Sequence, residues 1–137
     1  MAIKREKIQP AGIHVRMMAG QPAYTQVVTV SGTVKMIFVA GQLARDPEGN
    51  CVGKGDMRAQ IQQVGENIKT CLEAAGASLA DIVKTNTHVT SFEEFQKHGD
   101  MRLRYFGPAM PTSTTVEVRR LAHPDFMIEV EAIAMVD

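Results

Sequence analysis

Two stretches near the end of the chain decide the fold: PTSTTVEVRRL at residues 111–121 and IEVEAIA at residues 128–134. Both are rich in β-branched residues and alternate in polarity, so each is predicted to form a strand. Successive side chains of a strand point to opposite faces, and Glu129 and Glu131 therefore share one face with Ile133. A strand face that combines two carboxylates with an apolar side chain suggests a role beyond packing.

The same alternation divides the first stretch into two faces. We expect Val116 and Val118 to point toward the helices, and Ser113, Thr115 and Glu117 to point to the face that carries no helix. This second face, the helix-free face of the sheet, is then partly apolar and partly acidic. Such a surface favours contact with another subunit, with its polar side chains at the rim or in a pocket.

Upstream, the pattern predicts two strands and a helix. Residues 26–30 and 36–40 are β-branched or aromatic runs on either side of the turn residues 31–33, which is typical of a short hairpin. In residues 56–75 the apolar positions recur every three or four residues, which predicts a helix. Its first residue is an aspartate that suits an N-cap, and Gly76 suits the C-terminal end.

Residues 82–89 are predicted to be a further strand, and a second helix is predicted from Ser91 to Pro108. Ser91 and Glu94 have the spacing of a capping box, and a proline interrupts helices. The resulting order, β-β-α-β-α-β-β, indicates an α+β fold with a mixed sheet of about six strands and two helices on one face. Because no repeat or linker interrupts the pattern, residues 1–137 are expected to form a single domain.

Composition excludes several classes of function. The 15 basic and 15 acidic residues cancel to a net charge of zero, so no overall field attracts nucleic acid or an anionic membrane. No apolar stretch approaches the roughly twenty residues that a membrane span requires. The only cysteines, Cys51 and Cys71, do not form a disulfide framework, which favours a reducing, cytoplasmic location. The histidines lack the spacing of a metal site, so no metal is expected.

Together with AGQLARDPEG at residues 40–49, the two C-terminal strands resemble the YjgF/RidA family. Members of this family include reactive-intermediate deaminases, which hydrolyse enamines and imines, and proteins described as endoribonuclease L-PSP-like. The resemblance extends from about residue 21 to residue 134. It implies a chorismate-mutase-like fold, a homotrimer, and small-molecule sites in the clefts between subunits, with no cofactor.

The resemblance also implies which residues form the cleft. By position, these are Tyr24, Gly41, Ser113, Thr115 and Glu129. Glu129 is implied to be the catalytic residue that orients the attacking water, and the other four are implied to bind the substrate. Glu131 is interpreted as structural. The plainer alternatives are a solvated strand face for both glutamates and packing at a subunit boundary for Tyr24.

Two polar groups of the family site are absent. Ser113 stands where deaminating members usually have an arginine that holds the substrate carboxylate, and Ala40 stands where a hydroxyl is common. A charge-assisted contact contributes about 1.5–3 kcal/mol, so simple 2-iminoacids are expected to bind about ten- to a hundredfold more weakly. The remaining groups suit a neutral carbonyl or a small anion. The sequence leaves open whether another arginine restores the charge; the candidates are Arg16, Arg45, Arg102 and Arg104.

Three classes of function stay open. The preferred one is a hydrolase of the enamine/imine deaminase type, in which Glu129 orients water and the substrate is not a simple 2-iminoacid. The second is a non-catalytic trimer that binds small molecules as a sensor, regulator or holdase-like partner, which the missing arginine favours. The third, a ribonuclease, is least favoured because the chain has no net positive charge and no interleaving of basic and aromatic residues.

Overall fold

Three α-helices and eight strands form within residues 2–137, the part of the chain that the computed structural model describes. The strands are β1 (Lys4–Ile8), β2 (Met17–Met18), β3 (Gln21–Pro22), β4 (Val27–Ser31), β5 (Lys35–Gln42), β6 (Ile82–Val89), β7 (Thr112–Glu117) and β8 (Ile128–Val136). The helices are α1 (Met57–Ala74), α2 (Phe92–Gln96) and α3 (Gly99–Phe106), and a 3₁₀ turn spans Leu79–Asp81.

The main sheet has four strands in the order β5-β8-β6-β7. Only β6 and β7 pair in parallel, while β8 pairs antiparallel with both of its neighbours. The prediction of an α+β fold with a mixed sheet is therefore confirmed. The remaining strands form two separate pairs, β1 with β4 and β2 with β3, so the main sheet has four strands instead of the expected six or so.

The predicted hairpin around Gly32 is wrong, although both of its strands exist. Gly32 makes the turn with a φ of 103°, but β4 pairs with β1 and β5 pairs with β8. The strand that pairs with β4 is β1, which has the sequence KREKI and is exposed at every residue. Because that stretch has no apolar alternation, its pairing with β4 left no signal in the local pattern.

Helix α1 forms as predicted and covers one face of the sheet. The side chain of Asp56 caps its first turn by accepting a 3.1 Å hydrogen bond from the backbone nitrogen of Ala59. Gly76 follows the last turn with a φ of 80°, which glycine adopts without strain. The apolar stripe of α1 packs on β5 and β8 and is buried at Met57, Ile61, Val64, Ile68 and Leu72.

The predicted second helix is divided into α2 and α3. Ser91 caps α2 as expected, since its hydroxyl accepts a 3.2 Å hydrogen bond from the backbone nitrogen of Glu94. The helix is interrupted at His98, whose backbone is not helical. α3 then begins at Gly99, where a Cβ atom would lie 2.4 Å from Cγ of Met18, so a larger residue there would have to push the Met18 side chain aside.

The last strand presents the faces predicted for it. Ile128 and Val130 are buried on the side that α1 covers, whereas Glu129 and Glu131 point to the helix-free face. The same face of β5 carries Phe38, which is 69% exposed.

The faces predicted for β7 are reversed. The Ser113 hydroxyl is hydrogen-bonded to Arg102 on α3 and to Thr85 on β6, which places it beneath the helices. Val116 is instead 42% exposed. The reason is register: β7 runs parallel to β6 and pairs Ser113 with Thr85, which is buried. The polar side chains of the two strands are therefore hydrogen-bonded to each other on the face that the helices cover.

No helix within residues 2–137 is long and apolar enough to span a membrane. In the same part of the chain, no three His, Cys, Asp or Glu side chains come together in a group that would hold a metal ion.

Candidate functional site

Within one chain, the residues implied by the family resemblance fall into two groups. Gly41 and Glu129 lie in contact on β5 and β8. Tyr24, Ser113 and Thr115 line a cavity of about 350 Å³ beside β7, the β7 pocket. Because Glu129 points to the helix-free face and Ser113 points beneath the helices, the two groups do not meet in a single chain.

The first group is formed at an irregularity in β5. Between Val39 and Gln42, β5 advances by three residues while its partner β8 advances by two, from Ala132 to Val130. One extra residue in a strand of an antiparallel pair is a β-bulge, which redirects the neighbouring side chains. Gly41 lies within this bulge.

The carboxylate of Glu129 packs directly against the bulge. A Cβ atom on Gly41 would lie 2.3 Å from Oε1 of Glu129 and 2.9 Å from its Cδ, so any other residue there would displace the carboxylate from this position. On its other side, Glu129 is paired in register with His88 of β6. The carboxylate thus lies near the start of β8, beside the β5 backbone on one side and the His88 position of β6 on the other.

Glu131 has a different environment, which agrees with the interpretation that this residue is structural. Its Oε1 atom accepts a 2.8 Å hydrogen bond from the side-chain amide of Asn86, its register partner on β6. The pair lines a cavity of about 470 Å³ on the helix-free face together with Phe38 and Ile133.

The second group depends on an irregular N-terminal segment that folds against β7. The short β2–β3 hairpin brings Ala23 back to Arg16, whose carbonyl accepts a 2.9 Å hydrogen bond from the Ala23 nitrogen. The next residues are fixed by Thr25, which is buried and donates its backbone N–H to the carbonyl of Pro111 over 3.0 Å. Tyr24 and Arg16 are thereby held beside the first residues of β7.

Arg102 is one of the arginines that the sequence left undecided, and it enters the β7 pocket from α3. It is 7% exposed, and its Nη2 atom donates a 3.1 Å hydrogen bond to Oγ of Ser113. Burial, reinforced by the nearby guanidinium of Arg16, lowers the pKa of Arg102 to about 10. The side chain therefore stays positively charged at neutral pH.

A local signal for Arg102 existed in the sequence. It lies three and four residues before Tyr105 and Phe106, which places it on the buried stripe of α3. A charged residue on such a stripe is uncommon and indicates a partner or a site.

Of the other three candidate arginines, one lines the β7 pocket and two lie outside it. Arg16 also lines the β7 pocket, with its guanidinium 4.8 Å from the centre of the Phe92 ring. Arg45 lies elsewhere, over the ring of Phe126, and Arg104 is exposed on α3. The β7 pocket therefore contains two guanidinium groups, although the position on β7 where an arginine was expected from the resemblance is a serine.

Known proteins resemble this chain over most of its length. A family model described as Endoribonuclease L-PSP matches residues 16–136. A RutC family protein of Pyrococcus abyssi is 44% identical over 111 residues, which cover 81% of this chain and 84% of that protein. A protein of Dermatophagoides farinae named 2-iminobutanoate/2-iminopropanoate deaminase is 30% identical over 132 residues, which cover 95% of this chain and 100% of that protein.

The fold is similar as well. A solved structure from Yersinia pestis, a protein of unknown function in the Rid family, aligns with a TM-score of 0.80 and 30% identity, covering 95% of this chain and 97% of that one. The match to the family model spans the motifs at residues 40–49, 111–121 and 128–134. The chain therefore belongs to the YjgF/RidA family.

Proposed function

We propose that this protein hydrolyses small imines or enamines and that Glu129 orients the attacking water. The observation that carries the proposal is the contact between Glu129 and Gly41, which leaves the carboxylate beside exposed backbone. Both residues occupy the positions that the family resemblance assigns to the site, and one relative is named as a deaminase of iminoacids.

The chemistry requires little beyond a positioned base. Water adds to the carbon of the C=N bond while a carboxylate accepts one of its protons, and the nitrogen gains a proton. The resulting carbinolamine loses ammonia and leaves a carbonyl group, so the imine and one water become a ketone or aldehyde and ammonia. A positioned base contributes about 10²- to 10⁴-fold in rate.

A complete site is proposed to require more than one copy of the chain. Glu129 and Gly41 lie toward the β5 edge of the sheet, whereas Ser113 and Thr115 lie on the opposite edge strand, β7. The helix-free face exposes Met36, Phe38 and Val116, and a monomer gains nothing from that exposure. We therefore propose a homotrimer in which one copy supplies the Glu129 group and its neighbour supplies the β7 pocket, with a small molecule between them.

The second candidate is a trimer that binds small molecules without catalysis. Ser113 in place of an arginine, and Ala40 in place of a hydroxyl, favour this candidate because both changes remove polar contacts from the cleft. A ribonuclease is not supported by the charge of the chain, which is zero.

Ammonia release separates the two candidates. The purified protein is supplied with imines generated in situ from 2-aminoacrylate and with 2-aminomuconate-type enamines, and ammonia is measured against the spontaneous rate. Glu129→Gln is expected to abolish the enzymatic release, and the matched control Glu131→Gln is expected to retain it. If the wild-type protein accelerates none of these reactions, or if Glu129→Gln is as active as wild type, the hydrolase proposal is wrong. A melting temperature that still rises with added ligand would then favour the binding candidate.

A further inference from the structure

The β7 pocket contains a buried cation without a counter-ion. The guanidinium of Arg102 donates to a neutral hydroxyl, Ser113, and lies 5.5 Å from the centre of the Phe95 ring. No carboxylate within residues 2–137 forms an ion pair with it. Removing a charge from water is costly unless an opposite charge replaces the lost solvation, so this arrangement is incomplete as it stands.

A second cation adds to the imbalance. Arg16 lines the same cavity, and its charge is one of the causes that lower the pKa of Arg102. Among the side chains described as lining the pocket, none is acidic. Two like charges held together in a partly desolvated cavity repel each other, and an anion between them would relieve both the repulsion and the desolvation.

The Ser113 hydroxyl is positioned to donate a hydrogen bond to an anion in the pocket. The Ser113 oxygen accepts hydrogen bonds from Arg102 over 3.1 Å and from the Thr85 hydroxyl over 3.0 Å. With both lone pairs used, the Ser113 proton is available to donate into the cavity. A guanidinium and a hydroxyl donor side by side match the two oxygen atoms of a carboxylate.

We propose that the β7 pocket binds a small dicarboxylate, with one carboxylate on Arg102 and Ser113 and the other on Arg16. The positive charge that the family usually places on β7 is supplied here from α3, next to the same position. The second guanidinium adds a site for a second acidic group, so the substrate class is an imine or enamine of a dicarboxylic acid. The inference depends on the proposed function in one respect: it takes the bound anion to be the molecule that reacts.

Binding is tested with stable probes that cannot react. Succinate, butyrate and succinamide have similar length and differ in charge, and their affinities are measured by calorimetry at low and fixed ionic strength. We expect succinate to bind at least tenfold more tightly than butyrate, and succinamide to bind most weakly. A protein that binds succinamide as well as succinate would overturn the proposal.

Variants assign the two carboxylates to the two arginines. Arg102→Met is expected to weaken succinate and butyrate binding about ten- to a hundredfold, the usual effect of losing a charge-assisted hydrogen bond. Arg16→Gln is expected to weaken succinate and leave butyrate nearly unchanged. Arg104→Gln, on the exposed side of the same helix, is the matched control and should bind both probes as wild type does. A folded Arg102→Met protein that binds succinate normally would contradict the assignment.

An exchange variant keeps the test decisive if Arg102→Met fails to fold. Arg102→Ser combined with Ser113→Arg keeps one guanidinium in the pocket by placing it on β7, and this double variant is expected to bind butyrate about as tightly as the wild-type protein does. If Glu129→Gln keeps full turnover while the arginine variants lose binding, the proposed hydrolysis fails and the dicarboxylate pocket stands. If the arginine variants bind normally while Glu129→Gln is inactive, the pocket fails and the hydrolysis stands.

Discussion

The side-chain oxygen of Gln60 accepts a 2.8 Å hydrogen bond from the backbone nitrogen of Met127, two residues before Glu129. Gln60 is fully buried at 0% exposure, and its amide nitrogen donates to the carbonyls of Gly53, over 3.0 Å, and Asp125, over 2.8 Å. One buried amide thus joins the loop before α1 to the loop that leads into β8. The position of Glu129 depends on this connection as well as on the sheet.

Gln60→Leu is expected to destabilise the protein strongly. The substitution keeps the size of the side chain but leaves three backbone groups without partners, each costing about 1–3 kcal/mol. We expect the free energy of unfolding, measured with urea, to fall by about 3 kcal/mol or more. Gln62→Leu, on the exposed side of the same helix, is the control and should change it by less than about 0.5 kcal/mol. Equal effects of the two variants would show that the buried amide is not needed.

Gly41→Ala is expected to reduce turnover far more than stability. The new methyl group would occupy the place of the Glu129 carboxylate, and a displacement of about 1 Å at a catalytic group costs about a hundredfold in rate. The measurements are ammonia release and the melting temperature. Shortening the acid with Glu129→Asp in the Gly41→Ala background removes the overlap and is expected to recover part of the lost rate. No recovery, or full activity of Gly41→Ala itself, would argue against this contact as the basis of the site.

Gly65→Ala tests how closely α1 and α3 pack. A Cβ atom there would lie 2.4 Å from Cγ of Tyr105, whose hydroxyl is held by a 2.7 Å hydrogen bond to Glu66. The overpacking penalty of about 1–3 kcal/mol is expected to exceed the gain of about 1 kcal/mol from replacing a helical glycine. Urea unfolding should therefore show a net loss of stability. In a Tyr105→Ala background the overlap is gone, and the same substitution is expected to stabilise the protein; a loss in both backgrounds would contradict the packing argument.

The ion pair between Arg58 and Asp100 predicts a pH dependence of stability. Arg58 donates two hydrogen bonds to the Asp100 carboxylate, over 3.0 Å and 2.8 Å, which lowers the pKa of Asp100 to about 2. A carboxyl group with a lowered pKa in the folded state contributes stability above its unfolded pKa, and this contribution is lost as the pH falls through the folded pKa.

Asp100→Asn is therefore expected to lower the melting temperature slightly at pH 7, and the difference from wild type should shrink between pH 4 and pH 2. Because the pair is exposed to solvent, the difference should also shrink at high salt. Arg58→Gln should have the same effect, and the double variant should add nothing further. A difference that is independent of pH would assign the effect to another cause.

Phe38→Glu is expected to prevent assembly. Phe38 is the most exposed of the large apolar side chains on the helix-free face, and a charge there cannot be buried against a second copy without a large desolvation cost. Light scattering after size exclusion is expected to give the mass of a trimer for the wild-type protein and of a monomer for the variant. Ile13→Glu, at an exposed loop position outside the sheet, is the control that should leave the assembly unchanged. A monomeric wild-type protein would rule out the proposed homotrimer.

The local sequence pattern predicted the structure correctly wherever an element buries one of its faces. The stripe of α1 and the alternation in β8 predicted both the elements and their buried faces, because α1 packs directly on β8. The cap at Asp56 was likewise predictable, since the bond that it makes lies within its own turn.

Local pattern failed where a distant partner decided the outcome. Val116 was expected inside, but β7 is an edge strand whose orientation is set by its parallel register with Thr85 and Thr87. The pairing of β4 with β1 was missed because the exposed strand KREKI carries no apolar signal.

The sequence by itself determined the fold class, the main elements and the family, and it predicted which residues form the family site. Only the tertiary structure decided which of those residues are neighbours: it joined Gly41 to Glu129 across 88 positions of sequence and brought Arg102 to Ser113 from another element. The physical reason is that periodicity records which face of an element is buried, whereas the partner across that face depends on strand order, register and the path of the chain.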